Sequence, residues 1–257
     1  MPWRSPVWWL LVAASIAAPV AIAVGLQSGN VIDHAIVMFS LPFEYVALAL
    51  PIVSTLLVLP WIGGGIAHRW TMLTRTREPL GLRLRRLAVV AVGVPAAVTF
   101  VAFVILGAYA FVLAPALGTA PADEAHAWGS YSTAMSASRY ATFSQLLVWG
   151  VVPYVLVVAV HEALWSAAFA AIGFAILWLT GSRILALTLP VVLLWVDNLG
   201  FSAVVWDRWR GMSSIDLFSL TQAPMWMAAM PLLGWAGLAA ALLMLVARRR
   251  GHLAGVV

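Results

Sequence analysis

HRWTMLTRTREPLGLRLRRLAVVAVG, residues 68–93, decides how this chain is laid out. The stretch carries six arginines and one acid, Glu78, and it joins two long apolar runs. Fourteen arginines and no lysine occur in the 257 residues, and eleven of the fourteen sit in four short places. These are Arg4, the 67–86 loop, a tight turn at Arg183, and Arg248 to Arg250. About 20 apolar residues carry a helix across the hydrocarbon core of a bilayer. Arginines gather in the cytoplasmic segments that flank such spans. The layout is that of a polytopic membrane protein with both termini on the cytoplasmic side.

Composition agrees. The chain is 64% hydrophobic and 9% charged, against about 25% charged in an ordinary soluble domain. The net charge of +5 invites a nucleic-acid reading. The position of the charges argues against it, because the basic residues border apolar spans and form no continuous face. There is no cysteine, so disulfides and thiolate metal sites are excluded.

Six spans are expected: about Val7 to Leu26, Tyr45 to Ile66, Leu87 to Leu113, a fourth ending near Leu179, Ile184 to Val205, and Pro224 to Val246. The first follows Arg4 and resembles a signal peptide. It is read as a retained helix, since no small-residue cleavage site precedes Gln27. The fourth begins between Gly150 and Ala159. Residues 143–179 are too long for one simple span at about 1.5 Å per residue, and Gly150 and Pro153 divide them. A broken or re-entrant external segment followed by a long span is expected, with one long tilted helix as the alternative. The fifth span has an alternative early end at Asp197, and Pro190 is expected to kink it. One transmembrane domain, residues 1–257, is the simplest organisation. With the N-terminus inside, Asp33, Asp123, Glu124, Asp207 and Asp216 all fall outside.

The external segments carry no recognisable chemistry. Residues 115–144 are rich in Ala, Ser, Gly and Pro. Residues 206–221 begin WDRWRG and read as an interfacial loop, because Trp favours the headgroup level. HEALW, residues 161–165, is not a zincin motif, since Trp165 stands where the second histidine is needed. Ser213 and Ser214 lie in the outer loop without an obvious base. A phosphate-binding loop ending in Lys-Ser or Lys-Thr is impossible without lysine. No catalytic site, cofactor or metal is expected in this chain.

The remaining polar residues are few. Arginines of the 67–86 loop serve as topology signals that snorkel, or form an elbow bent at Pro79 and Gly81 that docks on a cytoplasmic partner. Glu162 is the most expensive side chain, either an inter-helix or pathway group or a headgroup-boundary residue. His161 points elsewhere on the helix and need not pair with it. Asp197 marks an exit from the membrane or lines an interface. AAFAAIG (167–173) and GLAAALLM (237–244) offer small faces for close helix contact.

This layout resembles the membrane subunit of type-two ABC exporters. YVALALPIVSTLLVLPWI (45–62) is similar to that family's second span, and TRTREPLGLRLRR (74–86) to its basic coupling segment. Glu78-Pro79-Leu80-Gly81 stands where relatives often have an acid-arginine-glycine run. ALWSAAFAAIGFAILWLTGSRILALTLPVVLLWV (163–196) resembles the family's apolar helix, short polar-basic turn and proline-bearing helix. The likeness spans about residues 45–205. It implies that residues 72–86 insert into a groove on a cytoplasmic ATP-binding subunit, with Arg75, Arg77, Glu78 and Arg83 making the contacts. ATP and Mg would be bound by that subunit. Two membrane subunits, identical or related, would pair, often through their first and fifth helices. Tyr154, His161 and Glu162 would belong to the external gate, and Asp197 to the interface or path. The arginine-only, Ala- and Val-rich composition fits a bacterial inner-membrane protein. A non-transporting accessory subunit and a membrane enzyme are the other classes these residues admit.

Overall fold

The computed structural model describes residues 5–27, 35–40, 42–67, 80–118, 142–204, 206, 209–216 and 224–249. Among them every regular element is helical. They are α1 (Pro6–Gln27), α2 (Ala35–Ser40), α3 (Pro42–Ala67) and α4 (Leu80–Ala108), the last extended by a π-helical turn, Tyr109–Leu113, and an α-turn, Ala114–Ala116. A 3-10 segment, Ser144–Trp149, leads into α5 (Val151–Thr180), α6 (Arg183–Ala203), α7 (Gly211–Ile215) and α8 (Met225–Arg248). Six helices are long and apolar enough to cross a membrane, as expected for a multi-pass membrane protein.

The elbow residues Arg75, Arg77 and Glu78 lie outside the described residues. Arg83 falls in α4, where only its backbone is described.

α5 is the axis of the bundle. It packs against α4, α8, α3 and α6, while α1 lies on α3 and α4. Its sequence has no polar stripe, and a helix apolar all round belongs in an interior. Residues 168–178 of α5 are all buried. Two apolar clusters form at its two ends. One gathers Phe39, Phe43, Phe103, Phe111 and Tyr154; the other gathers Trp165, Phe169, Ile172, Leu194 and Trp235. Close approach is set by glycine: a Cβ on Gly173 would lie 2.7 Å from Thr55 Cγ2 and 3.0 Å from the Ala186 carbonyl. Three helices therefore meet at Gly173, within one of the small-residue stretches. In the other stretch, a Cβ on Gly237 would meet nothing within 4 Å.

The break ahead of the fourth span is present. Gly150, at φ +107, separates the 3-10 segment from α5, a backbone region that favours glycine. Pro153 fits because the first helical turn does not need its N–H. The single tilted helix over residues 143–179 is therefore not what forms. Nor does the fifth span end early: α6 runs through Asp197 to Ala203, with Pro190 inside it. At the α5–α6 turn, Gly181 takes φ +70 and Ser182 caps α6, its Oγ accepting the Leu185 N–H at 3.3 Å.

The largest departure from expectation is α7. Residues 206–221 read as an interfacial loop, yet Gly211, Ser213, Ser214 and Ile215 are buried. α7 packs on α8 and α6. It enters the bundle because its small residues and two hydroxyls find hydrogen-bonding partners there.

Candidate polar site between helices α5, α6, α7 and α8

Glu162 is wholly enclosed by protein. His161 is also buried, and its Nδ1 lies 3.1 Å from Glu162 Oε1. The two do pair, though helical facing did not require it. That rule describes where Cβ atoms point. A flexible carboxyl in apolar surroundings swings back to the imidazole beside it. Glu162 Oε2 has no hydrogen-bond partner among the described residues.

Two other elements close around the imidazole. His161 Nε2 lies 3.3 Å from the Ala228 carbonyl of α8 and 3.2 Å from Ser214 Oγ of α7. Trp165 Nε1, one turn along α5, donates to Ser214 Oγ at 3.2 Å, and Ser214 donates to the Ala228 carbonyl. Ser214 had no obvious base in the sequence; the fold places an imidazole beside it.

The protons in this group can be counted. The indole N–H must donate and the carbonyl must accept, so the Ser214 proton goes to Ala228. His161 Nε2 faces the same carbonyl. Two acceptors do not face each other, so Nε2 carries a hydrogen. Nδ1 and Glu162 Oε1 then share one proton, as imidazolium with carboxylate or as imidazole with the protonated acid. The pair is neutral in both forms. Serine, imidazole and carboxyl follow one another as in hydrolase triads, but a general base needs a bare Nε2. Here Nε2 is a donor and Ser214 is fully enclosed. The arrangement is suited to clamping α5, α7 and α8 together.

Replacing Trp165 by Phe removes the donor to Ser214 while keeping most of the aromatic packing on Phe169 and Trp235. The expected loss is about 1 kcal/mol, read from unfolding in mixed micelles. No loss would mean that the indole N–H contributes nothing to the clamp.

Asp197 joins the N-terminal end of α7. Its Oδ2 accepts the Gly211 N–H at 2.6 Å, and the Trp235 indole is a further polar neighbour. A Cβ on Gly211 would come within 3.1 Å of Asp197 Oδ2 and 3.2 Å of Trp165 Cη2, so glycine is needed for this approach. Arg210 donates to Ser213 Oγ at 3.2 Å and Ser202 Oγ at 3.0 Å. Asp197, Trp206, Trp209 and Trp235 line a cavity of about 590 Å³ between α6 and α8.

Tyr154 stands apart. It lies eight residues before Glu162, about 12 Å along the helix axis. Its ring packs against Phe39 and Phe111, and its hydroxyl has no partner among the described residues. The fold thus brings together His161 and Glu162, sets Asp197 at the N-terminal end of α7, and leaves Tyr154 in an apolar cluster. No group of three or more His, Asp or Glu able to hold a metal occurs among the described residues. Comparison with known proteins gives no match to any family model, curated protein or solved structure.

Proposed function

We propose that this chain is the membrane subunit of an ATP-driven exporter of the type-two ABC class, working as a pair of membrane subunits in a bacterial inner membrane. The observation that carries the reading is the joint layout of helices and arginines. With six helices crossing, the basic segment between α3 and α4, the Arg183 turn and the end of α8 fall on one side, the cytoplasmic one. The segment at residues 68–79 is too short for an enzyme domain and long enough for an elbow. Arg75, Arg77, Glu78 and Arg83 dock it on a cytoplasmic ATP-binding subunit, which holds the ATP and Mg.

α1 and α6 bury few of their residues within the subunit and present large apolar side chains outward. They are the faces that meet the second membrane subunit or the lipid bilayer. Nucleic acid has no part in this reading. On the external side, the His161–Glu162–Ser214 clamp makes α5, α7 and α8 move as one body. Movement of the elbow is passed through α4 to α5, its main neighbour.

The test is purification in mild detergent, identification of every co-eluting chain, and ATPase assay of the whole assembly. The expected result is a stoichiometric ATP-binding subunit, lost when Arg75, Arg77 and Glu78 are all replaced by Ala. Elution alone, or with partners that do not hydrolyse ATP, would sink the proposal in favour of an accessory membrane subunit.

A further inference from the structure

We propose that the cavity between α6 and α8 binds a monovalent organic cation with an apolar body. The site does not depend on the ATP-driven reading. Its volume, about 590 Å³, lies within the roughly 300–1,000 Å³ of small-molecule pockets. Its described walls are apolar and aromatic, with Met230, Trp206, Trp209 and Trp235 around the Asp197 carboxylate. Indole faces are the strongest side-chain partners for cations.

Asp197 has no cationic partner among the described residues. Oδ2 takes the Gly211 N–H, and its other polar neighbour is the uncharged Trp235 indole. The Arg210 guanidinium, next to Gly211 in the chain, donates to the Ser202 and Ser213 hydroxyls. A carboxylate within a membrane span calls for a counter-charge, and such residues mark ligand or ion pathways. An anion would be repelled. A bare divalent metal needs several oxygen ligands, and the described residues of the cavity wall offer one carboxylate. An organic cation satisfies both the charge and the aromatic wall.

The test uses the full chain in dodecyl maltoside, a detergent without ammonium groups, and equilibrium binding of labelled tetraphenylphosphonium. One saturable site per chain is expected. Asp197→Asn keeps an acceptor for the Gly211 N–H, so thermal stability should hold while affinity falls about tenfold or more. Gly234 lines the cavity, and a Cβ there meets nothing within 4 Å. Gly234→Leu therefore fills the space without backbone conflict and should abolish binding. Neutral triphenylphosphine oxide should fail to compete. Absence of saturable binding, equal affinity in Asp197→Asn, or competition by the neutral oxide would each overturn the proposal. Displacement of the probe by a few molecules of phosphatidylethanolamine per chain would overturn the assignment to a free solute and give the site to a lipid ammonium.

Discussion

Glu162→Ala is expected to lower the stability of this chain by about 1–3 kcal/mol, the cost of leaving a buried polar group without its partner. The reason lies in the proton count. Nε2 of His161 is held as a donor by the Ala228 carbonyl, and Nδ1 is left facing the space that Glu162 vacates. Water has little access, because both residues are enclosed. Glu162→Gln should behave differently. A rotated amide offers an N–H to the bare Nδ1, so the loss should stay within about 1 kcal/mol. Joint replacement of His161 and Glu162 by Leu should recover much of the loss, since no buried group is then unmatched. Unfolding of all variants in mixed micelles is the measurement. Wild-type stability in Glu162→Ala would show that the pair does not hold the helices.

Gly173→Val is expected to cost about 3 kcal/mol, at the upper end of overpacking penalties. The added Cβ alone lies 2.7 Å from Thr55 Cγ2 and 3.0 Å from the Ala186 carbonyl, and the second contact is to backbone. Relief requires α3 or α6 to move away from α5. Between helices in lipid, contact of this kind is a main source of association, because the tails are as apolar as the side chains. Gly237→Val is the control. Its Cβ meets nothing within 4 Å, and valine is a better helix former than glycine, so stability should change by less than about 0.5 kcal/mol. Equal losses in the two variants would show that strain at the α3–α5–α6 junction is not the cause.

These two glycines also show how far the sequence could be read. Both lie in small-residue runs that look alike, and only the packed bundle tells which glycine sits at a close helix contact. The six spans were legible because each needs an apolar run of fixed length, and Gly150 with Pro153 marked the break before α5. α7 was not legible. Five residues carry no periodicity, and the Trp-rich stretch before them reads as surface. The Ser214–His161 contact followed α7 into obscurity, because a hydroxyl 53 residues away has no local signature. The His161–Glu162 pair was hidden by a sound rule about helix faces that does not bind a flexible side chain. Asp197 read as an exit or an interface residue because an acid in a span is expensive. Its partner, the Gly211 N–H, lies beyond the end of its helix.

The adjacency of His161 and Glu162 also bears on the order of synthesis. A ribosome delivers α5 before α7 and α8 exist, so neither Ser214 nor the Ala228 carbonyl can receive the imidazole when the fourth span enters the bilayer. Two ionisable residues arriving separately would each face hydrocarbon with nothing to neutralise them. Set side by side on one helix, they share a proton and enter as an uncharged couple, at lower insertion cost than two lone charges. The later segments then find a site already discharged and need only supply hydrogen bonds.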